Sequence, residues 1–208
     1  MTVEHPVLAG RHIRLEPLDQ SHIDGLAAAQ AGDGSLYQWS AVPQGRAALA
    51  SYVDAALAAR DAGSALPFAT VRMADGAVLG STRLFNLDRW AWPQGHARHG
   101  GRGPDICEIG YTWLGAAAVR TAANTEAKLL LLTHAFDTWN ALCVCFHTDA
   151  RNLRSRAALE RIGGQFEGVL RSHRMASDHI ARDSWRYSIV AAEWPQVKQR
   201  LVRFLDRT

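Results

Sequence analysis

No Gly-x-x-x-x-Gly-Lys-Ser/Thr segment occurs in the chain, and no Gly-x-Gly-x-x-Gly opens a helix after a strand. The first absence excludes a P-loop nucleotide enzyme, the second a Rossmann dinucleotide-binding unit. Long apolar runs are missing as well. No apolar stretch comes near the length of about 20 residues needed to cross a bilayer. No basic-then-apolar leader opens the chain, so neither membrane insertion nor a secretory signal is expected. There is no long Lys/Arg run, and the net charge is only +3. A nucleic-acid-binding module therefore rests on little beyond the segment from Arg98 to Arg102 and a pI near 9.0. Cysteine is scarce: Cys107, Cys143 and Cys145 cannot all pair within the chain. Buried free thiols in a reducing compartment are the simpler reading, which places the protein in the cytoplasm.

What is present suits one globular domain over residues 1–208, with 48% hydrophobic and 21% charged residues and no internal repeat or low-complexity segment. Ile13 and Leu15 alternate with polar residues as in a strand. Asp19 or Ser21 could cap a helix running to about Ala31, broken by Gly32-Asp33-Gly34. Leu49, Tyr52, Val53, Ala56 and Leu57 have helical spacing within Gly45 to Ala62, and Gly63 suits the helix end. Leu66 to Met73 and Val78 to Leu87 read as strands joined through Asp75-Gly76, a hairpin signal. Arg89 to Pro104 is a long irregular segment rich in Gly, Pro, Trp and His.

The stretch from Glu108 to Gly163 carries most of the functional information. A strand over 106–114 feeds a turn of small residues, Gly115 to Ala123. That turn leads into a helix from about Asn124 to Trp139, apolar around most of its circumference. A second strand, Leu142 to Thr148, and a second helix, Asn152 to Ile162, follow. Strands joined by a helix are expected to be parallel. A strand passing through a small-residue turn into a helix N-terminus forms an anion site, because unpaired amides and the helix dipole converge there. Asn152 and Ser155 lie three apart and share a helix face. Arg151, Arg154, Arg156 and Arg161 give this region a local basic character suited to a polyanionic small molecule. Strands Phe166 to Met175 and Asp183 to Ala191, then a helix from Glu193 to Leu205 with Pro195 in its first turn, complete the pattern.

The segments Glu108-Ile109-Gly110-Tyr111, Asn124-Thr125-Glu126-Ala127-Lys128 and Asn152-x-x-Ser155 resemble the Gcn5-related N-acetyltransferases (GNAT), nearest to the RimJ/RimL-like branch. The opening Leu8-x-Gly10-x-x-x-Arg14-Leu15-x-Pro17-Leu18 and the strand Arg182-Asp183-Ser184-Trp185-x-Tyr187-Ser188 extend the resemblance over nearly the whole chain. It implies an α/β (α+β) domain with a mostly antiparallel sheet splayed between strands 106–114 and 142–148, helices on both faces, and acetyl-CoA in the gap. The family's pyrophosphate pattern, Gln/Arg-x-x-Gly-x-Gly/Ala, falls on Val119-Arg120-Thr121-Ala122-Ala123-Asn124. This chain departs from it at Val119 and at Ala122, where the pattern has glycine.

The resemblance implies that Leu114, Arg120, Thr121, Ala122, Ala123, Asn124, Thr125 and Asn152 bind acetyl-CoA, with no metal. It also implies Ser155 as the acid that protonates the thiolate. A carboxylate at Glu108, in an otherwise apolar strand, is expected to have a raised pKa and to serve as general base. The plainer alternatives are a helix cap at Asn152, a solvent-facing Ser155, and a rim Glu108 paired with an arginine. Tyr111 and Thr112 should face opposite sides of the strand, and a bulge there could free an amide for the thioester carbonyl. Trp90, Trp92, His96 and His99 are candidates to wall an acceptor pocket; His96-x-x-His99 alone does not argue for a metal. The expected activity is transfer of acetyl to a primary amine, a protein N-terminus or a small molecule, in a ternary complex. The alternative is a non-catalytic acyl-CoA-binding protein of the same fold. The sequence leaves the acceptor open, and a homodimer is only one option for its assembly.

Overall fold

A computed structural model describes residues 5–32, 34–101 and 103–207. Asp33 of the Gly32–Gly34 break and Arg102 of the basic loop segment lie outside the described residues. The elements are β1 (Leu8–Ala9), β2 (Ile13–Pro17), α1 (Ile23–Gln30), α2 (Arg46–Asp61), β3 (Ala65–Arg72), β4 (Val78–Asp88), β5 (Ile106–Leu114), α3 (Ala123–Thr133), β6 (Cys143–Asp149), α4 (Leu153–Ile162), β7 (Gln165–Met175), β8 (Ala181–Val190) and α5 (Trp194–Leu205). One eight-stranded sheet runs in the order β1-β2-β3-β4-β5-β6-β8-β7. Within it β5 and β6 are parallel and the other neighbouring pairs antiparallel.

Strand alternation puts helices on both faces of this sheet. Leu66 and Phe68 of β3 join a core with Leu131 and Leu132 of α3 and Leu201 of α5. Ala69 and Val71 of the same strand join a second core with Leu26 of α1 and Leu49 and Val53 of α2. Successive residues of a strand point to opposite faces, so one strand feeds two apolar layers. Cys143 and Cys145 obey the same rule, their sulfurs 3.8 Å apart on one face, both free thiols.

The helix expected over 124–139 is regular only to Thr133; His134–Thr138 form a π turn, with Trp139 N–H donating to His134 O. Near its start, Glu126 is buried and accepts from the amides of Arg11, His12 and Ile13, each at 2.7 Å. This carboxylate ties the approach to β2 onto α3 and leaves no room beside it. A Cβ on Gly10 would stand 2.4 Å from its carboxyl carbon. The glycine of the N-terminal motif is therefore a close-approach residue.

Candidate active site

β5 and β6 pair only from Ile106 to Glu108, opposite Cys143 to Cys145. Beyond Glu108 the two strands separate, and the gap is a cavity of about 640 Å³. A bulge shapes the β5 side. Ser81 pairs with Trp113 and Arg83 with Gly110, so Tyr111 and Thr112 together oppose Thr82. Tyr111 takes the left-handed conformation, φ 51°. Across the bulge the two side chains keep to opposite faces of the strand, as expected, Tyr111 with Arg83 and Thr112 with Thr82 and Lys128, and both residues border the gap. Tyr111 lies under the Arg83 guanidinium at 3.9 Å. Thr112 Oγ1 is 2.7 Å from Thr82 Oγ1 and accepts from Lys128 Nζ at 2.8 Å.

The turn after β5 supplies the opposite end of the gap. Its left-handed residue is Arg120, φ 62°, whereas Ala122 has φ −60° and ψ −21°. The position where the family pattern carries glycine thus needs no glycine backbone here. Thr121 Oγ1 donates to Ala118 O and accepts from Ala123 N–H, bracing the turn. The amides of Arg120, Thr121, Ala122 and Asn124 have no acceptor among the described residues. Arg120, Thr121 and Asn124 line the main cavity, as does Leu114. Ala122 and Thr125 border an adjoining cavity of about 320 Å³ together with Arg161. Ala123 is turned into the core instead.

On the far wall, Asn152 precedes α4 and its Oδ1 accepts from Ser155 N–H at 3.0 Å. Both side chains line the gap, so capping and exposure to a ligand coexist at Asn152. The basic cluster around this helix is divided. Arg151 is bonded to Asp149 and Asp178, and Arg156 stacks on Trp185. Only Arg154 and Arg161 reach the main cavity; Arg161 also donates to Thr125 Oγ1 at 2.9 Å.

Glu108 lies at the vertex, 3% exposed. Asn86 Nδ2 donates to its Oε2 at 2.8 Å and Arg174 Nη2 at 3.1 Å. His147 Nδ1 is 2.9 Å from Oε1, within ion-pair range but off the hydrogen-bonding direction. Burial pushes the carboxyl pKa up, but the nearby His147, the Arg174 charge and the Asn86 bond outweigh it and hold the group below its usual value. The expected raised pKa is overturned: burial brought compensating donors with it. Lys128 shows the contrary case. It is 5% exposed, with Thr112 Oγ1 as its partner, and burial pushes its pKa down to about 7.

The aromatic loop does not wall the acceptor side. Trp92 Nε1 and Trp90 N–H donate to Asp105, His96 stacks on Trp92, and His99 Nδ1 contacts Trp92 O. Arg98 donates to Asn140 O. The loop folds around the buried Asp105, away from the gap. The wall comes instead from Leu36, Tyr37 and Trp39 to Val42, and from Arg174, Met175 and Arg182. Sequence reasoning missed these, along with His147, Asn86 and Lys128. Lys128 alone left a local signal, a cation in a helix apolar nearly all round.

Comparison with known proteins agrees with this geometry. Residues 12–165 match the model of the acetyltransferase (GNAT) domain. A GCN5-related N-acetyltransferase from Brucella melitensis superposes with a TM-score of 0.82 at 30% identity, over 99% of this chain and 87% of that one. RimJ from Mycobacterium smegmatis, in complex with CoA-disulfide, gives 0.75 at 23% identity over 95% and 90%. The microcin C7 self-immunity acetyltransferase MccE, in complex with acetyl-CoA and AMP, gives 0.70 at 19% over 87% and 93%. These last two share the fold. No functionally curated protein matches the sequence. With most of its length under the domain model and a whole-chain likeness at 30% identity, this chain belongs to the GNAT acetyltransferase family and is an acyltransferase.

Proposed function

We propose that the protein transfers acetyl from acetyl-CoA to a primary amine by direct attack in a ternary complex in the cytoplasm. The observation that carries this reading is the row of unbonded amides at Arg120, Thr121, Ala122 and Asn124, opening on the gap that holds Asn152 and Ser155. Such amides at a helix N-terminus suit a diphosphate, and Arg120 and Arg161 beside the adjoining cavity add charge-assisted bonds. Thr125 borders the same space. Leu114 and Asn152 flank the pantetheine arm, and Ala123, its N–H taken by Thr121 Oγ1, supports the turn from the core side. That RimJ binds a CoA derivative and MccE acetyl-CoA on the same fold supports this placement.

In the reaction the amine nitrogen attacks the thioester carbonyl; the C–N bond forms and the C–S bond breaks. Glu108 stays ionised at neutral pH and takes the ammonium proton, with His147 Nδ1 2.9 Å from its carboxylate. The Ser155 hydroxyl gives its proton to the departing thiolate and regains one from water. An amide freed by the Tyr111–Thr112 bulge polarises the carbonyl. Thermal shift with acetyl-CoA, followed by free-thiol release across an amine panel, tests this. A ligand that prefers the native state must raise the melting temperature, so no stabilisation at saturation sinks the reading. Stabilisation with no thiol release from any amine would leave a non-catalytic acyl-CoA binder.

A further inference from the structure

Arg174 of β7 and Arg182 of β8 are direct cross-strand partners, and both line the acceptor side of the gap. Directly opposed residues of an antiparallel pair share a face with their Cβ atoms close, so two like charges there are destabilising unless something offsets them. Arg174 has an acid, Glu108, at 3.1 Å. The Arg182 guanidinium has no acid in direct contact: among the described residues its side chain makes no ion pair or hydrogen bond, and its Nε is buried without a partner. The carboxylate of Asp149 is already held by Arg151, through its Nε at 3.0 Å and Nη2 at 2.8 Å. The imidazoles of His147 and His173 stand beside the pair with their centroids 4.9 Å apart, and His173 Nδ1 also lacks a partner. Asp149 and Glu108 both lie within electrostatic reach of Arg182, but neither bonds it, so its guanidinium faces a gap walled also by Tyr37, Trp39 and Met175 with no direct acceptor. Removing water from such a site strengthens the pull on an incoming anion.

We propose that Arg174 and Arg182 form an oxyanion-binding subsite, so that the amine acceptor also carries a carboxylate or phosphate group. This rests on the acetyltransfer reading and narrows its substrate class. Because Arg174 also bonds Glu108, the anion sits a short spacer from the reacting amine. Polycationic acceptors such as aminoglycosides are disfavoured by the same charges. A planar guanidinium suits either oxyanion bidentately.

The test uses the full chain saturated with CoA and a panel of N-acetylated amino acids, each against its carboxamide, with N-acetyl phosphoethanolamine as the phosphate arm. Calorimetry should show an anionic compound bound at least about tenfold more tightly than its neutral counterpart, the size of one charged hydrogen bond. Arg182→Gln should abolish that preference while leaving CoA affinity unchanged. The compound that responds identifies the anion as carboxylate or phosphate. In turnover, R182Q should raise KM for the corresponding amine with little change in kcat. Equal binding of anionic and neutral compounds, or a preference that survives R182Q, overturns the subsite even where CoA binds normally. Failure of CoA itself to bind overturns the acetyltransfer reading instead; the panel run without CoA then still reads the arginine pair.

Discussion

Lys128 Nζ lies 2.8 Å from Thr112 Oγ1 across the floor of the gap, and that hydroxyl belongs to the β5 bulge. The ammonium form is poorly solvated there, which is why burial brings the pKa from 10.5 to about 7. Below pH 7 both folded and unfolded chains hold the proton, and the folded state carries the full desolvation cost. From about 7 to 10.5 the unfolded chain binds more protons than the folded one, so this group's contribution to stability improves as pH rises. Lys128→Met should therefore be more stable than the parent at pH 6, with the advantage shrinking towards pH 10. Urea unfolding across that range reads it; a gap that stays constant or widens would refute the assignment.

Glu108 has the opposite sign. Its folded pKa lies below 4.5, so the stabilisation from its partners is present above that value and is lost as pH falls through the folded pKa. Glu108→Gln should lower kcat/KM by about 10²–10⁴ with acetyl-CoA affinity retained. The stability difference between the two proteins should hold steady from pH 8 to 5 and close only in stronger acid. Closure near neutrality would mean a raised carboxyl pKa after all.

Ala122→Gly restores the glycine of the family pattern, yet its φ of −60° gives glycine no conformational advantage. Acetyl-CoA affinity should not improve, and the flexible residue should cost about 0.5–1 kcal/mol of stability. Isothermal titration and denaturant unfolding measure the two effects. A clear gain in affinity would show that side-chain bulk at Ala122 obstructs the phosphates.

Asn152 and Ser155 separate by their readouts. Asn152→Ala removes the side chain that accepts from Ser155 N–H, so stability falls by about 1 kcal/mol and acetyl-CoA binding weakens with it. Ser155→Ala keeps the cap and should lower kcat with Kd for acetyl-CoA unchanged. The loss at Ser155 should be smallest at high pH, where the thiolate leaves without protonation. An unaltered kcat in S155A would remove the proposed acid.

Much of the fold was legible because its signals are short-range. The Asp75-Gly76 hairpin, the small-residue turn into α3 and the Asn152 cap each depend on backbone bonding within a few residues. Helical spacing placed α2 and α4, and alternation put Cys143 and Cys145 on one face. The regular helix expected to Trp139 ended early because tertiary packing imposed a π turn, and the Trp90–His99 loop was misplaced because its partner, Asp105, lies beyond it.

By itself the sequence determined which segments become strands and helices, and that a phosphate-suited turn precedes α3. Only the tertiary structure decided how the charged groups behave. Glu108 meets Asn86, His147 and Arg174 from three other strands; Lys128 meets a bulge; Arg174 faces Arg182 through a register that no local pattern fixes. Desolvation and charge pairing depend on what the sheet brings together across long separations in the chain, and they cannot be read from neighbours in sequence.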